Sequence, residues 1–183
     1  MRRWDRCCGT RGEVQSTLTF TIYSIGHSRH PAESFAALLR EQGVALLADV
    51  RSQPASKWAP HFAKAALEQQ LRAQGIGYEF LGRELGGRPQ GAQYYGPDGA
   101  LDYARRAEAA DFQAGLLRLL ALAQARRTVM LCAEEDPTHC HRRRLITPAL
   151  SRAGVSVVHI RGDGRLEPEG TSGLASPQLG LFR

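Results

Sequence analysis

Val44-Ala45-Leu46-Leu47-Ala48-Asp49-Val50 decides the fold. All of these residues except Asp49 are apolar, with no polar alternation, which is the pattern of a strand covered on both faces. Such a strand needs helices on either side of its sheet, and the flanking sequence supplies them. Upstream, residues 18–25 are rich in β-branched and aromatic side chains and end at Gly26, which reads as a first strand. Between the two strands, Pro31 opens a helix with Phe35, Leu38 and Leu39 at helical spacing, and Gly43 stops it. Downstream, a helix over 63–74 places Leu67 and Leu71 one turn apart and stops at Gly75, and 76–81 forms a third strand. Residues 101–109 make a short helix. Asp111 caps the next, whose stripe is Leu116, Leu119, Leu120 and Ala123. Residues 128–132 read as a fourth strand, 142–153 as a helix kinked or delayed by Pro148, and 155–160 as a fifth strand. The alternation predicts an α/β fold: a mainly parallel five-stranded sheet with helices on both faces, Rossmann-like and three-layered.

One domain over 17–164 accommodates these elements, between tails at 1–16 and 165–183, the latter rich in Gly, Pro, Ser and Glu. The 43% hydrophobic and 23% charged residues place the chain among globular proteins rather than disordered ones. No apolar run reaches the roughly 20 residues that span a bilayer, and the first 16 residues lack a signal-peptide core. A net charge of +6 suits an acidic partner such as nucleic acid, although arginine-rich composition also follows from GC-rich coding. Cys7, Cys8, Cys132 and Cys140 do not form a secreted disulfide framework, so a reducing cytoplasm is expected.

Parallel sheets bind ligands beyond the carboxyl ends of their strands, and the polar residues collect there. Gly26 permits close backbone approach, and His27 and Ser28 offer hydrogen bonds or proton transfer, unless Ser28 only caps a helix. Asp49 inside an apolar strand needs a partner. Arg51, on the same face, is either half of a structural ion pair with it or part of a substrate-facing set with a catalytic Asp49. The loop over 85–99 is long enough to be functional, and its Arg88 joins the substrate-binding set. The most distinctive segment runs from Cys132-Ala133-Glu134-Glu135-Asp136 to Cys140-His141-Arg142. Glu134 and Asp136 suit catalytic carboxylates, with His141 as a further catalytic group and Arg142 as a substrate contact. Its cysteines and histidines lack the paired spacing of common zinc sites, so no metal is expected, and no cofactor is specified. The strand-Cys-loop-helix layout also resembles the rhodanese and cysteine-phosphatase loop, but carboxylates beside Cys132 would raise its thiol pKa and repel an anion.

Ser24-Ile25-Gly26-His27-Ser28, Asp49-Val50-Arg51-Ser52, Leu85-Gly86-Gly87, and Cys132-Ala133-Glu134 through Asp136-Pro137 to Cys140-His141-Arg142 together resemble the domain of unknown function 488 family. The likeness runs from about Thr21 to Ile160. It implies a shared site at Gly26, His27, Asp49, Arg51, Glu134, Asp136, Cys140, His141 and Arg142, and brings no established activity and no role for each. Separately, Gln178-Leu179-Gly180-Leu181-Phe182 is similar to the pentapeptide with which bacterial DNA polymerases and repair proteins bind the sliding clamp, with Gln178, Leu181 and Phe182 as its contacts. The expectation is a hydrolase acting on DNA or a nucleotide, with the glycosidic bond favoured over the phosphodiester, working in repair and recruited by the clamp. The alternatives are a rhodanese-like sulfurtransferase using Cys132 and a non-catalytic nucleic-acid-binding module.

Overall fold

A computed structural model describes residues 20–55 and 58–170. The expected tail at 1–16 and the clamp-binding motif at Gln178, Leu181 and Phe182 lie outside them. Chain order is β1 (Thr21–Gly26), α1 (Ala32–Glu41), β2 (Leu46–Asp49), α2 (Lys64–Ala73), β3 (Gly77–Phe80), α3 (Gly82–Leu85), α4 (Tyr103–Ala107), α5 (Ala110–Ala125), β4 (Thr128–Cys132), α6 (Thr147–Arg152), β5 (Ser156–Ile160) and β6 (Leu166–Pro168). The strands lie in the order β3-β2-β4-β1-β5-β6, parallel except for β6.

The pleat sorts the core into two layers. Leu47, Val129, Leu131, Ile25 and Ile160 pack with Phe35, Leu38 and Leu39 of α1 and Leu67 and Leu71 of α2. Ala48, Val50, Met130, Ile22 and Val157 pack on the opposite face with Phe112, Leu116 and Leu119 of α5 and Ala149 and Leu150 of α6. This is the three-layer α/β fold the alternation predicts. No helix among the described residues is long and apolar enough to cross a membrane.

Three expectations need correction. The sheet has six strands, because residues after Gly162 return as β6, antiparallel to β5. Its three residues are largely exposed and carry no apolar signal, and Pro168 suits only an edge. Backbone pairing and a buried network hold it: Glu169 takes a hydrogen bond at 2.7 Å from His159, whose other ring nitrogen meets Ser24 Oγ at 2.6 Å. Second, Asp111 does not cap α5. Its carboxylate accepts a hydrogen bond at 2.6 Å from the fully buried Arg106, which also lies over the rings of Tyr94 and Phe112. Third, Ser28 does not cap α1, since Pro31 holds that position; Ser28 sits at φ 43° in a tight turn. Pro148 does delay its helix. The chain runs through a π-helical turn at Arg142–Ile146 before α6 begins, and the Thr147 hydroxyl donates to the Arg142 carbonyl at 2.8 Å.

Candidate active site

Strand order creates the site. The connection leaving β1 runs toward β2, the one leaving β4 runs toward β5, and β1 and β4 are neighbours, so the two connections cross. They press together at the crossing: His27 and Ser28 donate their backbone N–H groups to the carbonyls of Cys132 and Ala133 at 3.0 and 2.9 Å. A side chain at Gly26 would collide with the Glu134 carbonyl, so Gly26 admits the neighbouring loop rather than a ligand. Beside the crossing opens a cavity of about 390 Å³, lined by His27, Arg51, Ser52, Arg88, Tyr103, Cys132, Glu134, His139, Cys140 and His141 among others. That volume suits a small-molecule ligand.

Two thiols and an imidazole meet at one wall of the cavity. Cys132 ends β4, and Cys140 closes the loop that follows. Their sulfurs are 2.9 Å apart, with the Cys140 thiol donating. His141 Nδ1 lies 3.6 Å from Cys132 Sγ and 3.7 Å from Cys140 Sγ. His141 Nε2 lies 3.0 Å from the Val50 carbonyl, which can only accept, so Nε2 donates there and Nδ1 faces the two sulfurs. The ring packs on Gly87, where a Cβ would strike it. The Cys140 thiol, then His141 and Arg142, hold the Cys132 thiol well below the ordinary thiol range despite its burial. Conversely, donation to the Cys132 thiolate and burial push the Cys140 thiol up. Among the described residues this is also the group that suits a metal ion, its three donor atoms lying within 4.8 Å of one another.

His27 occupies the neighbouring wall. Its Nδ1 meets the Ser28 carbonyl at 3.0 Å, which fixes the tautomer and leaves Nε2 as an acceptor. The ring stacks on Phe62 at 4.4 Å, and burial followed by the Arg51 charge lowers its pKa from 6.5 to about 4. The folded chain therefore refuses a proton that the unfolded chain accepts. The resulting stability is present in full above pH 6.5 and is lost as the pH falls to about 4. The expected loss is on the order of 3 kcal/mol. Urea unfolding at pH 7 and pH 4 measures it, and in His27→Asn the difference should shrink by that amount.

The remaining expected site residues are placed differently. Asp49 is fully buried on the α1–α2 face with Leu47, opposite the face of Cys132, and does not line the cavity. Its carboxylate takes two hydrogen bonds from the Arg51 guanidinium, Oδ1 from Nε at 2.8 Å and Oδ2 from Nη2 at 2.6 Å, and Oδ1 takes another from the Arg51 backbone N–H at 3.1 Å. Oδ2 takes a further one from the Tyr78 hydroxyl at 2.8 Å. Asp49 is thus half of the structural ion pair. Arg51 lines the cavity while tied to Asp49, and Arg88 lines it as an exposed cation whose backbone N–H is held by Ser52 Oγ at 2.8 Å. Arg142 is fully buried and donates to the carbonyls of Glu134 and Glu135 at 2.5 Å each, so it clamps the loop rather than facing the cavity.

The loop carboxylates disperse. Glu134 is exposed at the cavity wall. Glu135 turns to Arg161 and the Gly162 N–H, both at 3.0 Å, and Asp136 caps Thr138 at 2.8 Å without lining the cavity. The expected rise in the Cys132 pKa is reversed by the hydrogen bond from Cys140, then by His141 and Arg142. In the sequence Cys132, Cys140, His139 and His141 read only as a metal set without the close pairing of common zinc sites, since seven residues separate the two cysteines, and nothing there marks a thiol pair. Tyr78 and Tyr103 carried no signal of their own, and Ser52 only its place in the Asp49-Val50-Arg51-Ser52 motif.

A family model described as "Domain of unknown function DUF488" matches residues 31–147, which covers Asp49, Arg51, Gly87, Cys132, Cys140 and His141 and stops short of Gly26–Ser28. No curated protein and no solved structure matches the chain. With well over half of its length matched, including the two thiols and the imidazole of the cavity, the chain belongs to the DUF488 domain family.

Proposed function

We propose that the chain is a thiol-dependent sulfurtransferase with Cys132 as nucleophile, acting on a small anionic sulfur donor. The observation that carries this reading is the contact of Cys132 Sγ with Cys140 Sγ at 2.9 Å and His141 Nδ1 at 3.6 Å on the wall of the cavity. A thiolate held there is the reactive form. Arg88 and Arg51 favour an anionic donor, and neutral His27 offers Nε2 as an acceptor. With a thiosulfonate donor the outer sulfur bonds to Cys132 as its bond to the sulfonyl sulfur breaks. Cys132–S⁻ plus RSO₂S⁻ becomes Cys132–S–S⁻ plus the sulfinate RSO₂⁻. A site resting on reduced thiols suits a reducing, cytoplasmic setting.

Two-carboxylate hydrolysis loses support because Asp49, Glu135 and Asp136 are already engaged. Hydrolysis of a glycosidic bond in DNA or a nucleotide stands as a second reading on one observation: Glu134 lines the cavity exposed, and among the described residues its carboxylate has no ion pair or hydrogen bond. The two are separated by incubating the chain with a thiosulfonate and mapping mass gains by peptide. Gain of one sulfur atom at Cys132, transferable to cyanide as thiocyanate, is the expected result. An unmodified Cys132 together with Glu134-dependent base release from a nucleotide would overturn it.

A further inference from the structure

Cys140 stands against the nucleophile and, in the first transfer, only donates a hydrogen bond to it, forming no bond to the incoming sulfur. We infer that Cys140 is a resolving thiol, which attacks the sulfur-loaded Cys132, closes a Cys132–Cys140 disulfide and expels the carried sulfur as hydrosulfide. The inference rests on the sulfurtransferase reading and adds the fate of the sulfur. In the step, Cys140 Sγ bonds to Cys132 Sγ as the bond from Cys132 Sγ to the outer sulfur breaks. Cys132–S–S⁻ plus Cys140–SH becomes Cys132–S–S–Cys140 plus HS⁻. The Cys140 sulfur is oxidised to the disulfide level that Cys132 already holds, the outer sulfur is reduced to sulfide, and the proton of Cys140 leaves with it. Two equivalents of a low-molecular-weight thiol then reopen the disulfide and leave as their own disulfide.

Geometry favours this course. The sulfurs already touch at 2.9 Å, and closure to the roughly 2.05 Å of a disulfide moves them by less than about 1 Å. Both cysteines are buried, so neither is readily reached by a bulky external thiol, whereas each is within reach of the other. His141 Nδ1 lies almost equally far from both sulfurs and can pass the proton from Cys140 to the departing sulfide. Order is built in as well. The Cys132 thiolate keeps Cys140 protonated, first by accepting its hydrogen bond. Once sulfur is transferred, the charge moves outward to the terminal sulfur and Cys140 is freed to react.

The experiment uses the full chain carrying Cys7→Ser and Cys8→Ser, so that only the two site thiols are scored. After one equivalent of thiosulfonate, without added reductant, intact mass and released hydrosulfide are followed in time. The otherwise wild-type chain should lose two hydrogens, release one hydrosulfide per chain and yield a linked Cys132–Cys140 peptide. Cys140→Ser should instead hold the extra sulfur on Cys132 at least about tenfold longer. Cys140→Ala serves if the serine variant misfolds, and the linked peptide of the parent chain needs no variant at all. Equal persistence of a loaded Cys132 with and without Cys140 would overturn this inference and leave the sulfurtransferase reading standing. No sulfur on Cys132 in either chain would overturn both. So would a zinc ion retained on the two thiols after purification, which would assign the same three side chains to a metal.

Discussion

Cys132→Ser is expected to lower thiosulfonate-to-cyanide sulfur transfer at least about a thousandfold, as loss of an enzyme's nucleophile does. Stability should change little, since serine is close in size and Cys140 can donate to its hydroxyl as it does to the sulfur. The same side chain should reveal itself by its pH profile. An ordinary thiol loses alkylation rate about tenfold per pH unit below its pKa near 8.5. Cys132, held far lower by the Cys140 thiol, His141 and Arg142, should react with iodoacetamide at a nearly constant rate from about pH 8 down to about pH 5. Cys140→Ala removes the largest of those influences and should restore a rising profile. A Cys132 that alkylates like a free cysteine, with transfer intact in Cys132→Ser, would remove the nucleophile from the mechanism.

Asp49→Asn is expected to destabilise the fold by about 3–5 kcal/mol, the usual result of leaving one half of a buried ion pair alone. Asp49 is fully buried and Arg51 nearly so, and the substitution removes the charge that two guanidinium hydrogen bonds and the Tyr78 hydroxyl address. For a domain of this size the melting temperature should fall by roughly 6–20 °C. Asp49→Asn with Arg51→Met removes both charges and should recover much of the loss, because an apolar pair of similar volume often replaces an ion pair at little cost. A catalytic carboxylate behaves in the opposite way, leaving stability intact or improved when neutralised. Unfolding midpoints of the single and double variants therefore separate the two roles. An unchanged midpoint in Asp49→Asn would return Asp49 to the candidate catalytic set.

Local pattern alone carried the architecture. The unbroken apolar run at 44–50, the helical stripes of α1, α2 and α5, and Pro148 ahead of α6 each act through near neighbours in the chain, and each is found where the pattern puts it. The site's address was legible for the same reason, because parallel sheets put ligands at the carboxyl ends of their strands. β6 was not legible: it is short, exposed and held by backbone pairing and a histidine ten residues away, none of which leaves a periodic trace.

Side-chain roles within the site divide along the same line. The sequence determined which chemical groups arrive at the sheet edge: two thiols, several histidines, an acidic loop and three arginines. Only the tertiary structure decided which of them meet. The pleat sends Asp49 to one face and Cys132 to the other, one residue of register being enough to change sides. The loop after β4 folds back under the grip of Arg142, turns Glu135 outward to Arg161, and brings Cys140 and His141 onto Cys132 across seven and eight intervening residues. Those contacts depend on how connections cross above a sheet, a property of strand order that no stretch of neighbouring residues contains.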